Sequence, residues 1–162
     1  MIKQNQNHLR SISIYAENLV EKAKTFIQHS ESEQSEVGRE ILFNSWRIVV
    51  GEQRSISHHI VNMQPHYMGK METKWSMLQY SLFRVDMLLN ALTMKFLEQG
   101  SYTVTTEEFN QLQAVITIYT KIHEEVEKAS KHPELIIDDL TEPILLIDPY
   151  YSSILKEQGG RY

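Results

Sequence analysis

The sequence predicts an all-α protein: a four-helix up-and-down bundle, followed by an irregular C-terminal strap that closes in a short terminal helix. Apolar residues recur at steps of three and four in four separate stretches, the spacing that gathers side chains on one helical face. Glycine, proline and clusters of small polar residues fall between those stretches, where helices begin and end. A chain of 162 residues with 41% hydrophobic and 23% charged positions has the size and composition of a single globular domain.

The first stretch, about Lys3 to His29, carries Leu9, Ile12, Ala16, Leu19, Ala23 and Phe26 on one face. Ser30 to Glu36, acidic and hydroxyl-rich, reads as a tight inter-helix turn. A second helix is expected from about Glu36 to Asn62. Leu42, Trp46, Val49, Ile56 and Ile60 lie in its apolar arc, and Arg39, Arg47 and Arg54 gather on another side. Gly51 weakens this helix by roughly 1 kcal/mol relative to alanine, and Pro65 should end it. The third helix shows the most regular pattern. Trp75, Leu78, Leu82, Val85, Leu89, Leu92 and Phe96 alternate steps of three and four, a seven-residue repeat that packs knobs into holes. Met77, Phe83, Met87, Leu88, Met94 and Leu97 widen its stripe. A helix apolar over so much of its circumference is expected to lie centrally or under a partner. Gly100 stands where a left-handed C-terminal cap belongs. Thr105 with Glu108 forms a capping box for a fourth helix bearing Leu112, Val115, Tyr119, Ile122 and Val126, which stops at Lys131-His132-Pro133.

The expected division is a bundle over 3–132 and a strap over 133–162, packed on the bundle or on a partner subunit. The strap holds three of the four prolines, short apolar clusters such as Ile144-Leu145-Leu146-Ile147, and the acids Asp138, Asp139, Glu142 and Asp148. It is too apolar for a disordered appendage.

Composition narrows the chemistry. A net charge of −5 argues against general nucleic-acid binding, which needs excess Lys and Arg. The absence of cysteine removes disulfides, thiolate metal sites and a thiol nucleophile. No run approaches the length of a membrane span, and the polar N-terminal residues lack the apolar core of a signal peptide. A cytoplasmic protein is the expectation. No Gly-rich phosphate loop is present, and no His has a Glu three residues before it, so the metal pairs of di-iron bundles are missing. His58, His59 and His66 are the only concentration of histidines. His58 and His59 point about 100° apart on a helix, so no metal and no cofactor are expected.

Arg54, four intervening residues and His59 form a pair that resembles the Arg–His motif of the HEPN ribonucleases, small helical bundles. The resemblance implies a metal-independent ribonuclease in which the pair meets at a dimer cleft, His59 serving as general acid or base and Arg54 steadying the phosphate. Ser55 stands where that family favours Asn, Asp or His after the arginine, and Val61 where an aromatic residue is often found.

The leading expectation is a non-enzymatic interaction module, a regulator or adaptor acting through apolar helix and tail surfaces. Its partner is another protein or a second copy, as a homodimer. The elimination of nucleotide, metal and nucleophile constellations supports it, as does an apolar excess that asks for a covering surface. The HEPN-like ribonuclease using Arg54 and His59, and a structural assembly component, are the alternatives.

Overall fold

A computed structural model describes residues 2–30, 35–62 and 70–131, with side chains described for 7–30, 35–62 and 79–128. The strap over 133–162, His66, Trp75 and Leu78 lie outside the described side chains.

Four α-helices make up the described chain: α1 (Ile2–Ser30), α2 (Glu36–Asn62), α3 (Lys70–Gln99) and α4 (Thr106–Lys131). No strand occurs among the described residues. Cross-helix contacts fix the directions. His8 meets His59, Asn18 meets Glu52, and Phe26 meets Trp46, so α1 and α2 run antiparallel. Gln53 reaches the Leu82 carbonyl and Trp46 reaches Thr93, so α3 reverses again. Ser13 meets His123 from α4. The chain is an up-and-down bundle.

Each helix buries one seven-residue seam: Leu9, Ile12, Ala16, Leu19, Ala23 and Phe26 in α1; Leu42, Trp46, Val49, Gln53, Ile56 and Ile60 in α2; Leu82, Val85, Leu89, Leu92 and Phe96 in α3; Leu112, Val115, Tyr119, Ile122 and Val126 in α4. This repeat keeps a stripe facing its neighbours over the length of a bundle.

One expectation needs correction. Of the two placements expected for α3, central or under a partner, the central one is not seen; α1 does most to join the bundle, packing closely on both α2 and α4, while α3 stands as a corner with looser contact to α2. The reason is its second apolar face. The Leu and Val seam of α3 is buried as expected, but Phe83, Met87, Met94 and Leu97 point outward and stay exposed. Periodicity marks a face as apolar without saying what lies against it.

The ends follow local chemistry. Gly100 has φ +71°, the left-handed cap that glycine adopts without a Cβ penalty, and its N–H donates to Phe96 O at 3.0 Å. At the start of α4 the Glu108 N–H donates to Thr105 Oγ1 at 3.1 Å, and the Thr105 N–H donates to Glu108 Oε1 at 2.8 Å. Lys95 from α3 joins the same carboxylate. Burial by itself would raise the Glu108 carboxyl; the Lys95 ammonium and the Thr105 donors outweigh it and hold the group below the usual carboxylate value. Replacing Thr105 with alanine is expected to cost about 1 kcal/mol, read as a lower urea midpoint at unchanged slope.

Among the described residues the core includes a polar layer around Gln53. Gln53 is fully buried, donating to Ser57 Oγ and to Leu82 O at 3.0 and 3.2 Å. Tyr119 is fully buried beside it. Burial pushes its phenol far above the ordinary value, a rise that Gln53 partly counters and Asp86 reinforces. The hydroxyl therefore stays protonated.

Candidate functional site

An aromatic cluster closes one end of the bundle. Phe26 from α1 lies 4.9 Å from Trp46, 5.7 Å from Phe96 and 6.0 Å from Tyr102, centroid to centroid. Trp46 and Phe96 meet edge-to-face at 5.1 Å, an arrangement the ring quadrupoles favour. The Trp46 indole N–H donates to Thr93 Oγ1 at 2.9 Å, and that hydroxyl donates in turn to Leu89 O at 2.7 Å. The rings thus tie α1, α2, α3 and the loop before α4 together.

The outer side of this cluster forms the floor of a groove between α2 and α3, about 630 Å³ in volume. Trp46, Val50, Phe96 and Tyr102 line its apolar base; Phe43, Leu97, Arg47 and Arg54 stand around it, with Gly51 between the two arginines. The volume lies within the range of ligand clefts, and the base is apolar. Arg47 and Arg54 are exposed, and neither guanidinium has a hydrogen-bond or ion-pair partner among the described residues.

Beyond the groove runs the outer face of α3. Tyr80, Phe83, Met87, Met94 and Leu97 are exposed by 40, 57, 47, 57 and 73%. With Asn90, also exposed, they alternate steps of three and four without a gap. This second seam lies nearly opposite the buried one on the helical wheel. Arg84 sits beside it, donating to the Tyr80 hydroxyl from Nε at 2.9 Å with its guanidinium over that ring at 4.8 Å.

At the opposite end of the bundle, His8 Nδ1 and His59 Nδ1 are 2.8 Å apart. Tyr15 stacks on His59 at 5.7 Å, and His58 lies 5.8 Å away. The bond needs one nitrogen as donor and the other as acceptor, so the two rings cannot both be imidazolium. Burial lowers the His59 pKa below its ordinary 6.5, and charge on His8 and then His58 lowers it further. A lowered folded pKa means that, as pH falls through 6.5, the unfolded chain takes up its proton first and stability drops until the folded group also protonates. The urea midpoint should be level above about pH 7.5 and decline below about 6.5, and His59→Asn should flatten that decline.

The histidine cluster and the groove separate the two residues of the ribonuclease-like motif. Arg54 faces the groove toward α3, whereas His59 faces α1 through His8 and Tyr15. Five residues turn a helix by about 140°, so the pair does not converge within one chain. Among the described residues no group of three or more His, Asp or Glu is placed to hold a metal ion, and no helix is long and apolar enough to cross a membrane. The His8–His59 contact joins positions 51 residues apart and has no local signal. Gln53 does have one: a polar residue standing in the four-three rhythm of α2. Compared with protein-family models, with curated proteins and with solved structures, the chain shows no match.

Proposed function

We propose that the protein is a non-enzymatic interaction module, a regulator or adaptor, whose docking face is the outer seam of α3 and whose partner there is a second copy of itself. The single observation behind this reading is the unbroken apolar rhythm of Tyr80, Phe83, Met87, Met94 and Leu97 on the side of α3 away from its own core. Monomeric proteins scatter exposed apolar residues; a contiguous row points to a covered surface. The seven-residue spacing selects another helix as the cover.

Self-pairing fits because a two-fold contact needs one patch that complements itself. Run antiparallel, Tyr80 stands opposite Leu97, Phe83 opposite Met94, and Met87 opposite Asn90. In this register Arg84 stands opposite Thr93 and Glu98 opposite Gln79, so no like charges face each other. A parallel pairing would bring like charges together. Asn90 is the one polar residue in the seam, a device that fixes register at some cost in affinity. Its amide already donates to Asp86 at 3.4 Å, so covering it leaves it partnered. The reading takes the chain as a cytoplasmic protein, in keeping with a sequence without cysteine.

Light scattering on the full chain over a range of concentrations tests this. The expected mass is twice the 19.0 kDa of one chain. A mass of one chain at every concentration would overturn the reading, and one that climbs beyond two chains would favour a structural assembly component.

A further inference from the structure

We propose that the groove between α2 and α3 receives the chain's own acidic, apolar C-terminal segment, with Arg54 and Arg47 facing its carboxylates and the aromatic floor its aliphatic side chains. This inference rests on the groove and stands independently of the α3 seam.

The groove is built for an elongated, apolar anion. Its base is Trp46 and Phe96, each 5% exposed, and its wall holds two guanidiniums with no partner among the described residues. Gly51 separates them. A Cβ at position 51 would meet nothing within 4 Å, and the residue does not have positive φ. The bundle's own packing therefore gives no reason for glycine there, in a helix interior where it is unfavourable. A bare backbone between two arginines lets a docked chain lie close.

The charge that matches lies in the same polypeptide. Between positions 133 and 155 there are five acids, Glu134, Asp138, Asp139, Glu142 and Asp148, and no lysine or arginine. Spacing agrees as well. Arg47 and Arg54 are seven residues apart on one helix, about 10.5 Å along the axis and within roughly 20° in direction. One turn of polyproline II, the three residues from Asp139 to Glu142, spans about 9 Å and brings both carboxylates to the same side. Pro143 restricts Glu142 to extended backbone, and Ile144 to Ile147 follow directly, in place to cover the floor.

The connection is long enough. The contacts of Ser13 with His123 and of His8 with His59 put the C-terminal ends of α4 and α2 at the same end of the bundle. Arg54 lies eight residues before the end of α2, about 12 Å along the axis, and crossing between non-adjacent helices 8–10 Å from their neighbours takes roughly 14 Å more. Eight residues from Lys131 to Asp139 reach about 26–29 Å when fully extended, so the link runs nearly straight beneath the end of the bundle. Because the segment is tethered, even weak ion pairs act at a high effective concentration. Leu97 rims the groove and ends the outer seam of α3, so the docked segment borders that seam without crossing Tyr80 to Met94.

The cysteine-free full chain allows a clean test: Thr141→Cys carrying one nitroxide, read by paramagnetic loss of amide signals. Losses are expected at Arg47, Gly51, Arg54, Leu97 and Ser101, and they should vanish with Arg47→Glu and Arg54→Glu together. Both arginines are exposed, so unchanged helical circular dichroism will show the fold intact. Reversing Asp139 and Glu142 to arginine in that variant should restore the losses. Losses centred elsewhere on the bundle, spread evenly, or indifferent to the charge reversal would overturn the proposal. So would losses seen only between separately labelled molecules.

Discussion

Phe26→Ala is expected to lower the unfolding free energy by about 3–5 kcal/mol, among the largest single-residue effects in the described fold. Phe26 is 1% exposed and touches Trp46, Phe96 and Tyr102. Its removal would leave a cavity where two helices and a loop meet α1, and rings already packed edge-on and tilted against one another cannot all shift to fill it. Domains of this size are stable by about 5–15 kcal/mol, so the variant should unfold at a much lower urea concentration, with the slope unchanged. Phe83→Ala is the informative comparison. The same ring is deleted, but Phe83 is 57% exposed, and the stability of a single chain should move by about 0.5 kcal/mol or less. Equal losses at Phe26 and Phe83 would mean that the inner and outer sides of the bundle have been misassigned.

The second large effect belongs to association. Phe83→Glu with Met87→Glu is expected to abolish the proposed dimer while leaving the fold of each chain intact. Burial of one such side chain contributes about 1.5–3 kcal/mol, and two-fold symmetry removes four at once. A loss of about 6 kcal/mol corresponds to roughly a 10⁴-fold rise in Kd; sedimentation equilibrium reads it directly. Asn90→Leu should act in the other direction, tightening association while loosening register, since the seam would lose its only polar position.

The helices could be read from the sequence because their signals are local. The rhythm of Leu9 to Phe26 named the buried face of α1, Thr105 and Glu108 named the start of α4, and Gly100 named the cap that ends α3; all three are seen. What could not be read depends on direction and distance. The inner and outer seams of α3 are both apolar, so spacing alone does not say which of them faces the bundle, and it leaves a central place and a place under a partner both open. In the sequence Arg47 and Arg54 show only as arginines gathered on one side of α2, because it is the approach of Phe96, Leu97 and Tyr102 that turns that side into a groove. Gly51 registered as a weakness in a helix, with nothing in its neighbours to show that it opens onto a cleft. The Arg54–His59 spacing was legible, but the turn of the helix sends the two side chains to different neighbours.

The pairing of two α3 seams is tested most directly by the distance between nitroxide labels at Glu98→Cys, one per chain, measured by pulsed electron resonance. Antiparallel pairing with Met87 opposite Asn90 places the two positions at opposite ends of the paired helices, about 30 Å apart. A distribution centred there is the predicted result. A separation of about 10–15 Å, set by the width of a parallel helix pair, or the absence of any dipolar coupling would contradict it.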